Sequence, residues 1–141
     1  MQIKNVDNKV KEDVKIFLSN IDLVDSIEEE IINNGVALYI DDKISGYVTY
    51  EAFCEYGLIR YFVFQKTINI EIVRELFNEL ANKSCKNGIE SLISIGKDEE
   101  VIELFLYLGF EKMDFENFIV NGTTLRGTEL ENANVLLYRH K

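Results

Sequence analysis

The residues with most capacity for chemistry gather in one stretch, 58–80, which reads LIRYFVFQKTINIEIVRELFNEL. A dense apolar strand passes there through a short polar joint into an amphipathic helix. The first turn of a helix leaves backbone N–H groups unpaired at the positive end of its dipole, so this joint is where an anionic ligand is expected. Ile68, Asn69, Ile70, Glu71, Ile72 and Val73 form it. A phosphate-holding joint normally carries glycines for close backbone approach, yet no glycine lies between Gly57 and Gly88. Lys66, Thr67, Asn69 and Arg74 remain as replacement donors. Elsewhere the chemistry is sparse. His140 is the only histidine and the penultimate residue. A Ser-His-Asp or Cys-His mechanism would therefore draw its base from a terminus expected to fray. Cys54 and Cys85 fall in different elements without a CxxC pattern, so reduced thiols are expected rather than a disulfide, and no metal site.

Composition narrows the classes further. A chain of 141 residues suits one domain, residues 1–141, with a core that needs no disulfide or metal staple. Hydrophobic residues make up 47%, but no apolar run approaches a membrane span, and the N-terminus lacks the apolar segment of a signal peptide. A soluble, cytoplasmic protein with no membrane partner is expected, as a monomer or homodimer. The formal net charge of −10 argues against nucleic acid and somewhat against a polyanionic cofactor. It favours a cationic or amine-bearing ligand, or a basic protein, although an acidic surface also serves solubility.

The elements that position the joint follow from periodicity. Residues 2–6 form a short strand, and Val10, Val14, Phe17, Leu18 and Ile21 recur at helical spacing behind Asp7 as N-cap. A shorter helix follows Asp25 or Ser26, with Glu28 to Glu30 in its first turn and Ile27, Ile31 and Ile32 on one face. Residues 36–40, a turn at Asp41-Asp42-Lys43 and residues 44–53 make a β-hairpin, with Gly46 marking a bulge or close approach. A turn at Glu55-Tyr56-Gly57 leads into the strand 58–64, completing a meander. The next helix carries Ile72, Val73, Leu76, Phe77 and Leu80 on one face and stops near Gly88. Residues 89–95 form a strand parallel to the preceding one across a βαβ crossover. Asp98 caps a helix carrying Val101, Ile102, Phe105 and Leu108, which Gly109 closes. Phe118 to Val120 and Val135 to Tyr138 end the chain as strands, and the polar stretch 121–134 between them reads as a long hairpin loop or a partly irregular strand pair.

This order resembles the GNAT superfamily of acyl-CoA-dependent N-acetyltransferases over essentially the whole chain. The strings Asp42-Lys43-Ile44-Ser45-Gly46-Tyr47 and Glu103-Leu104-Phe105-Leu106-Tyr107-Leu108-Gly109-Phe110 are similar to a hairpin and a helix ending of that family. The resemblance implies an α/β fold: a central mixed sheet of six to seven strands with about four helices on both faces. It also implies acetyl-CoA as donor and an amine of a small molecule or a protein as acceptor. In the family, a loop of pattern R/Q-x-x-G-x-G/A holds the CoA pyrophosphate. Here that pattern falls on Ile68, Glu71 and Val73, so the motif is degenerate: Val73 would take cofactor space, and Glu71 would set a carboxylate beside phosphate charge. Like charges a few ångströms apart cost on the order of a few kcal/mol at an effective dielectric near 20.

Further roles follow from the same resemblance. Phe62, Val63 and Phe64 would present the strand edge that pairs with the pantetheine. Asp98 falls where the family often has an asparagine near the pantetheine, and also reads as an N-cap. Phe105 replaces a tyrosine that often protonates the leaving thiolate, with Tyr107 two positions on. Glu51, Glu55 and Tyr61 lie where an acceptor-side base is usual, so Glu51, Tyr61 and Tyr107 are the catalytic candidates. A catalytically inactive binding or regulatory module on the same fold is the alternative.

Overall fold

The computed structural model describes residues 1–20, 28–96, 98–113, 119–120, 123–124 and 134–140. β1 (Gln2–Asn5) leads to α1 (Asn8–Ser19), where the Asp7 carboxylate accepts the Val10 N–H at 2.8 Å as N-cap. Val10, Val14 and Leu18, one helical turn apart, form its buried stripe. α2 (Glu29–Asn33) buries Ile31 and Ile32, and Glu28 stands at its N-cap without a side-chain bond. Asp25, Ser26, Ile27 and Ile21 lie outside the described residues.

β2 (Val36–Ile40) and β3 (Lys43–Phe53) are joined by Asp41 and Asp42, both at positive φ (51° and 63°), the conformation of a tight two-residue hairpin. The β2–β3 register slips beside Leu38 and Tyr39, giving β3 an extra residue at Ser45, next to Gly46. β4 (Tyr56–Phe64) starts earlier than expected, because the turn is made at Cys54, whose φ of 55° is left-handed. Gly57 is therefore a strand residue, and a Cβ there would stand 2.9 Å from Leu92 and 3.0 Å from Tyr50. α3 (Ile70–Lys86) crosses to β5 (Ser91–Gly96), which lies parallel to β4, and α4 (Glu99–Leu108) ends at Gly109 with φ 108°.

The chain's end departs from expectation. β6 (Glu111–Met113) pairs with β9 (Asn134–Arg139), which lies between β5 and β6 in the sheet order β1-β2-β3-β4-β5-β9-β6. β7 (Ile119–Val120) pairs with β8 (Thr123–Thr124) in a separate ribbon, so a strand does occur within 121–134, and the alternative of one long loop joining 118–120 to 135–138 as a hairpin does not form. Phe118 and most of 121–134 lie outside the described residues.

Helices cover both faces of the seven-stranded mixed sheet. On one face, Val10, Val14, Leu18 and Ile32 pack on Ala37, Tyr39 and Tyr47. On the other, Leu76, Phe77 and Leu80 of α3 and Ile102, Phe105 and Leu108 of α4 pack on Leu38, Val48, Tyr50, Leu92 and Leu136. Alternation along β2 and β3 sends odd and even residues to opposite helix layers, which fixes the register. Each large side chain so buried contributes roughly 1.5–3 kcal/mol of transfer free energy.

Candidate functional site

The sheet opens at its centre. β4 and β5 pair only over Tyr56↔Ser91, Gly57↔Leu92 and Leu58↔Ile93, although both strands run on, to Phe64 and Gly96. The cause is local. In the β3–β4 register Val48 faces Phe62 and Tyr50 faces Ile59, so Arg60 and Tyr61 together oppose Thr49, a bulge that bends β4 away just past its last pair with β5. The Gln65 N–H donates to Ser45 O at 3.0 Å. Because antiparallel pairing alternates, Val63 turns its backbone groups to β3, and Phe62 and Phe64 aim theirs into the gap. Two strand residues thus present peptide groups to a slot between diverging strands, at the end of the sheet where α3 and α4 begin.

The α3 N-terminus borders that slot. Asn69 caps the helix, its Oδ1 accepting the Glu71 N–H at 2.9 Å, while its carbonyl accepts from Ile72 and Val73 at 3.0 and 3.2 Å. Ile70 and Glu71 are exposed, Ile68 and Ile72 half-buried against the core, and Val73 fully buried. Val73 therefore fills core volume rather than space on the solvent side. Asp98 caps α4, accepting the Glu100 N–H at 2.9 Å. Above the slot, Phe62 lies edge-on to Phe105 at 5.7 Å and parallel to Phe77 at 6.5 Å, so Phe105 is a core ring.

The three catalytic candidates do not converge. Glu51 sits across the sheet from the Arg60 guanidinium, 3.4 Å away, in the ladder next to Leu58. Tyr61 packs with the α1 layer, on the opposite face from Phe62. Tyr107 is 46% exposed on α4 with the Arg74 guanidinium 5.8 Å from its ring centre. Cys54 and Cys85 are free thiols, and no metal-binding cluster occurs among the described residues.

No protein-family model and no curated protein sequence matches the chain. Solved structures do. A Mycobacterium tuberculosis protein in complex with CoA superposes with a TM-score of 0.73 at 9% identity, over 100% of both chains. A GNAT-family acetyltransferase from Staphylococcus aureus Mu50 gives 0.68 at 12% identity, over 99% of both chains. The fold is that of the GNAT acetyltransferases. N-acetylglutamate synthase from Neisseria gonorrhoeae, solved with coenzyme A and N-acetyl-glutamate, contains the GNAT fold as one part. It matches 99% of this chain with a TM-score of 0.68 at 15% identity, and this chain spans 35% of its length. No helix among the described residues is long and apolar enough to cross a membrane.

Two polar groups on this GNAT fold escape sequence reasoning. Lys83 of α3 donates to the carbonyls of Asn33 and Gly35 at 2.6 and 2.8 Å, tying α3 to the α2–β2 turn. Burial lowers its pKa to about 8, against the pull of those two acceptors. His140 is not frayed: its N–H reaches Glu90 O at 3.4 Å and its Nε2 lies 3.1 Å from Ser84 Oγ. Ser84 is fully buried and donates its proton to Ala81 O at 2.9 Å, so His140 donates to it and the serine has no role as a nucleophile. Burial depresses the His140 pKa from its ordinary 6.5. A depressed histidine leaves stability intact above the unfolded pKa, and stability falls as pH drops from about 6.5 through the folded value. Urea titrations at pH 7 and 5.5 are expected to show a smaller acid-side loss for His140→Gln than for the parent chain. Equal losses would place the acid sensitivity elsewhere.

Proposed function

We propose that the chain transfers an acetyl group from acetyl-CoA to an amine on a small molecule or a protein. The observation that carries this reading is the slot between β4 and β5, into which Phe62 and Phe64 aim backbone groups with no strand opposite. Extended N–H and C=O groups at such an edge suit an extended, amide-bearing ligand arm, as in strand addition. Acetyl-CoA would supply the activated acetyl group. Phe62 and Phe64 would hold the arm and orient its carbonyl, and the Asn69–Val73 turn would face the pyrophosphate with its remaining N–H groups. The chain's catalytic share is then orientation and polarisation by fixed dipoles, which need no titrating side chain. With Phe105 in the position of a proton donor, the leaving thiolate takes its proton from solvent. The acidic surface favours an amine as acceptor.

A second reading, a non-catalytic binding module, draws on the α3 N-terminus. There the Glu71 N–H is already engaged by Asn69, and the exposed Glu71 carboxylate would oppose phosphate charge brought to this turn. Acetyl-CoA separates the two. At about 100 times Kd it is expected to stabilise the fold by about 2.7 kcal/mol, read as a rise in melting temperature. Glu71→Gln is expected to tighten binding by about 1 kcal/mol, roughly fivefold. No thermal shift at millimolar acetyl-CoA, in either protein, would sink the transferase reading and leave the module.

A further inference from the structure

A buried hydroxyl without a partner stands at the closed end of the slot. Among the described residues, Ser45, Thr49 and Ser84 are buried and give their hydroxyl protons to the carbonyls of Lys43, Ile31 and Ala81. Ser94 is 5% exposed, and its hydroxyl bonds no protein group. No buried side-chain oxygen among the described residues is both unbonded and sealed from solvent, so the Ser94 oxygen keeps an opening to the outside. Ser91, the other buried serine without such a bond, lies inside the β4–β5 ladder opposite Tyr56.

The register places that opening. Ile93 makes the last pair with β4, through Leu58, so Ser94 is the first β5 residue with no strand on that side. Its backbone is tied on the other side: the His140 N–H bonds Glu90 O, and alternation from that pair makes Ser94 and Leu136 a bonded pair as well. Alternation also puts the Ser94 side chain with Leu92 and Leu136 on the α3–α4 face, where Phe62 and Phe105 meet edge-on. Neither ring has a proton to donate. The hydroxyl thus enters an otherwise apolar corner, where a polar group without a bond is costly and a ligand contact would recover that cost.

The polarity of the slot fixes which end of a ligand meets this hydroxyl. β4 runs from Leu58 at the closed end to Phe64 beside the joint into α3. On the acetyl-CoA reading above, on which this inference rests, phosphates at the Asn69–Val73 turn leave the thioester pointing towards the closed end. We infer that the Ser94 hydroxyl donates a hydrogen bond to the sulfur of the acyl donor and stabilises the negative charge that gathers there as the thiolate leaves. A thioester sulfur accepts weakly and a thiolate strongly, so the bond strengthens in the transition state. In that step the amine nitrogen forms the new C–N bond and loses a proton to solvent. The electron pair of the broken C–S bond stays on sulfur, which is then protonated from solvent.

The test follows CoA itself, whose thiolate absorbs in the ultraviolet, bound to the whole chain and to Ser94→Ala across a pH series. At equal pH the thiolate-to-thiol ratio of bound CoA is expected to be about tenfold higher in the parent, the effect of one charge-assisted hydrogen bond. Acetyl-CoA affinity in calorimetry is expected to change less than about twofold, since the ground-state contact is weak. The urea midpoint of Ser94→Ala is expected to match or exceed that of the parent, because the free protein loses no bond. An equal thiolate ratio in the two proteins would overturn the role of Ser94 and leave the transferase reading standing. So would a clearly lower urea midpoint, which would make the hydroxyl a structural group. No binding of CoA or acetyl-CoA by the parent chain would overturn both.

Discussion

Replacing Phe77 by alanine is expected to lower the unfolding free energy by about 4 kcal/mol, the usual cost of deleting a fully buried ring. The ring is wholly buried and is the hub of the α3–α4 layer, 5.4 Å from Phe110, 5.1 Å from Tyr138 and 6.5 Å from Phe62. Its loss removes the backing of Phe62 at the slot and of Tyr138 on β9 together. A urea melt should show the midpoint falling, with the melting temperature down by roughly 10 °C. Phe77→Leu, which keeps most of the volume, is expected to recover more than half. A loss below about 1 kcal/mol for the alanine variant would mean the layer collapses onto the hole and the packing described here is not limiting.

Gly35→Ala is expected to be nearly as damaging, at about 3 kcal/mol, through overpacking rather than a void. A Cβ on Gly35 would stand 2.4 Å from the Tyr47 hydroxyl and 2.6 Å from its ring. That ring cannot step aside: Tyr47 is fully buried, and its hydroxyl donates to Ile32 O at 2.7 Å. The same short turn is held by Lys83 at Asn33 and Gly35, and by Asn34 Nδ2 at Tyr50 O, 3.1 Å away. Backbone relief there would break several bonds at once. Denaturation of Gly35→Ala, Tyr47→Leu and the pair should show strong non-additivity, the double variant costing less than the sum of the singles, because a shorter residue 47 relieves the clash. Additive costs would show that residue 35 is destabilised by something other than Tyr47.

Much of the fold was legible because its signals are local. Leu76, Phe77 and Leu80 recur at helical spacing, Asp7 and Asp98 stand where caps are needed, and Gly109 takes the left-handed φ that ends α4. The illegible parts depend on partners far along the chain. Glu111–Met113 carries no alternation and becomes a strand only because Val135–Leu137 lies beside it. His140 is ordered by Ser84, 56 positions earlier. Nothing in the type of Cys54 announces a left-handed turn, so glycine at 57 drew the expected turn to the wrong place. At the site, the joint before α3 was readable from its polar residues, but Val73's burial was not, since a helix's first turn can face either way. The slot itself arises from a one-residue offset opposite Thr49, which composition and periodicity do not register.

The break between β4 and β5 also divides the chain in time. The four strands on one side of it, β1 to β4, all precede residue 65, and the three on the other, β5, β9 and β6, all follow residue 90. In the first leaf β2, β3 and β4 are joined by two-residue turns and close with little loop entropy, as low contact order favours, and β1 pairs with β2 across α1 and α2. The second must bring β9 back across a long excursion to insert between β5 and β6. A ribosome releasing this chain would therefore deliver a half-sheet able to assemble early, with β4 as its bare edge until α3 and β5 emerge to cover the first three residues of it. The edge that remains uncovered afterwards is the part that faces the slot.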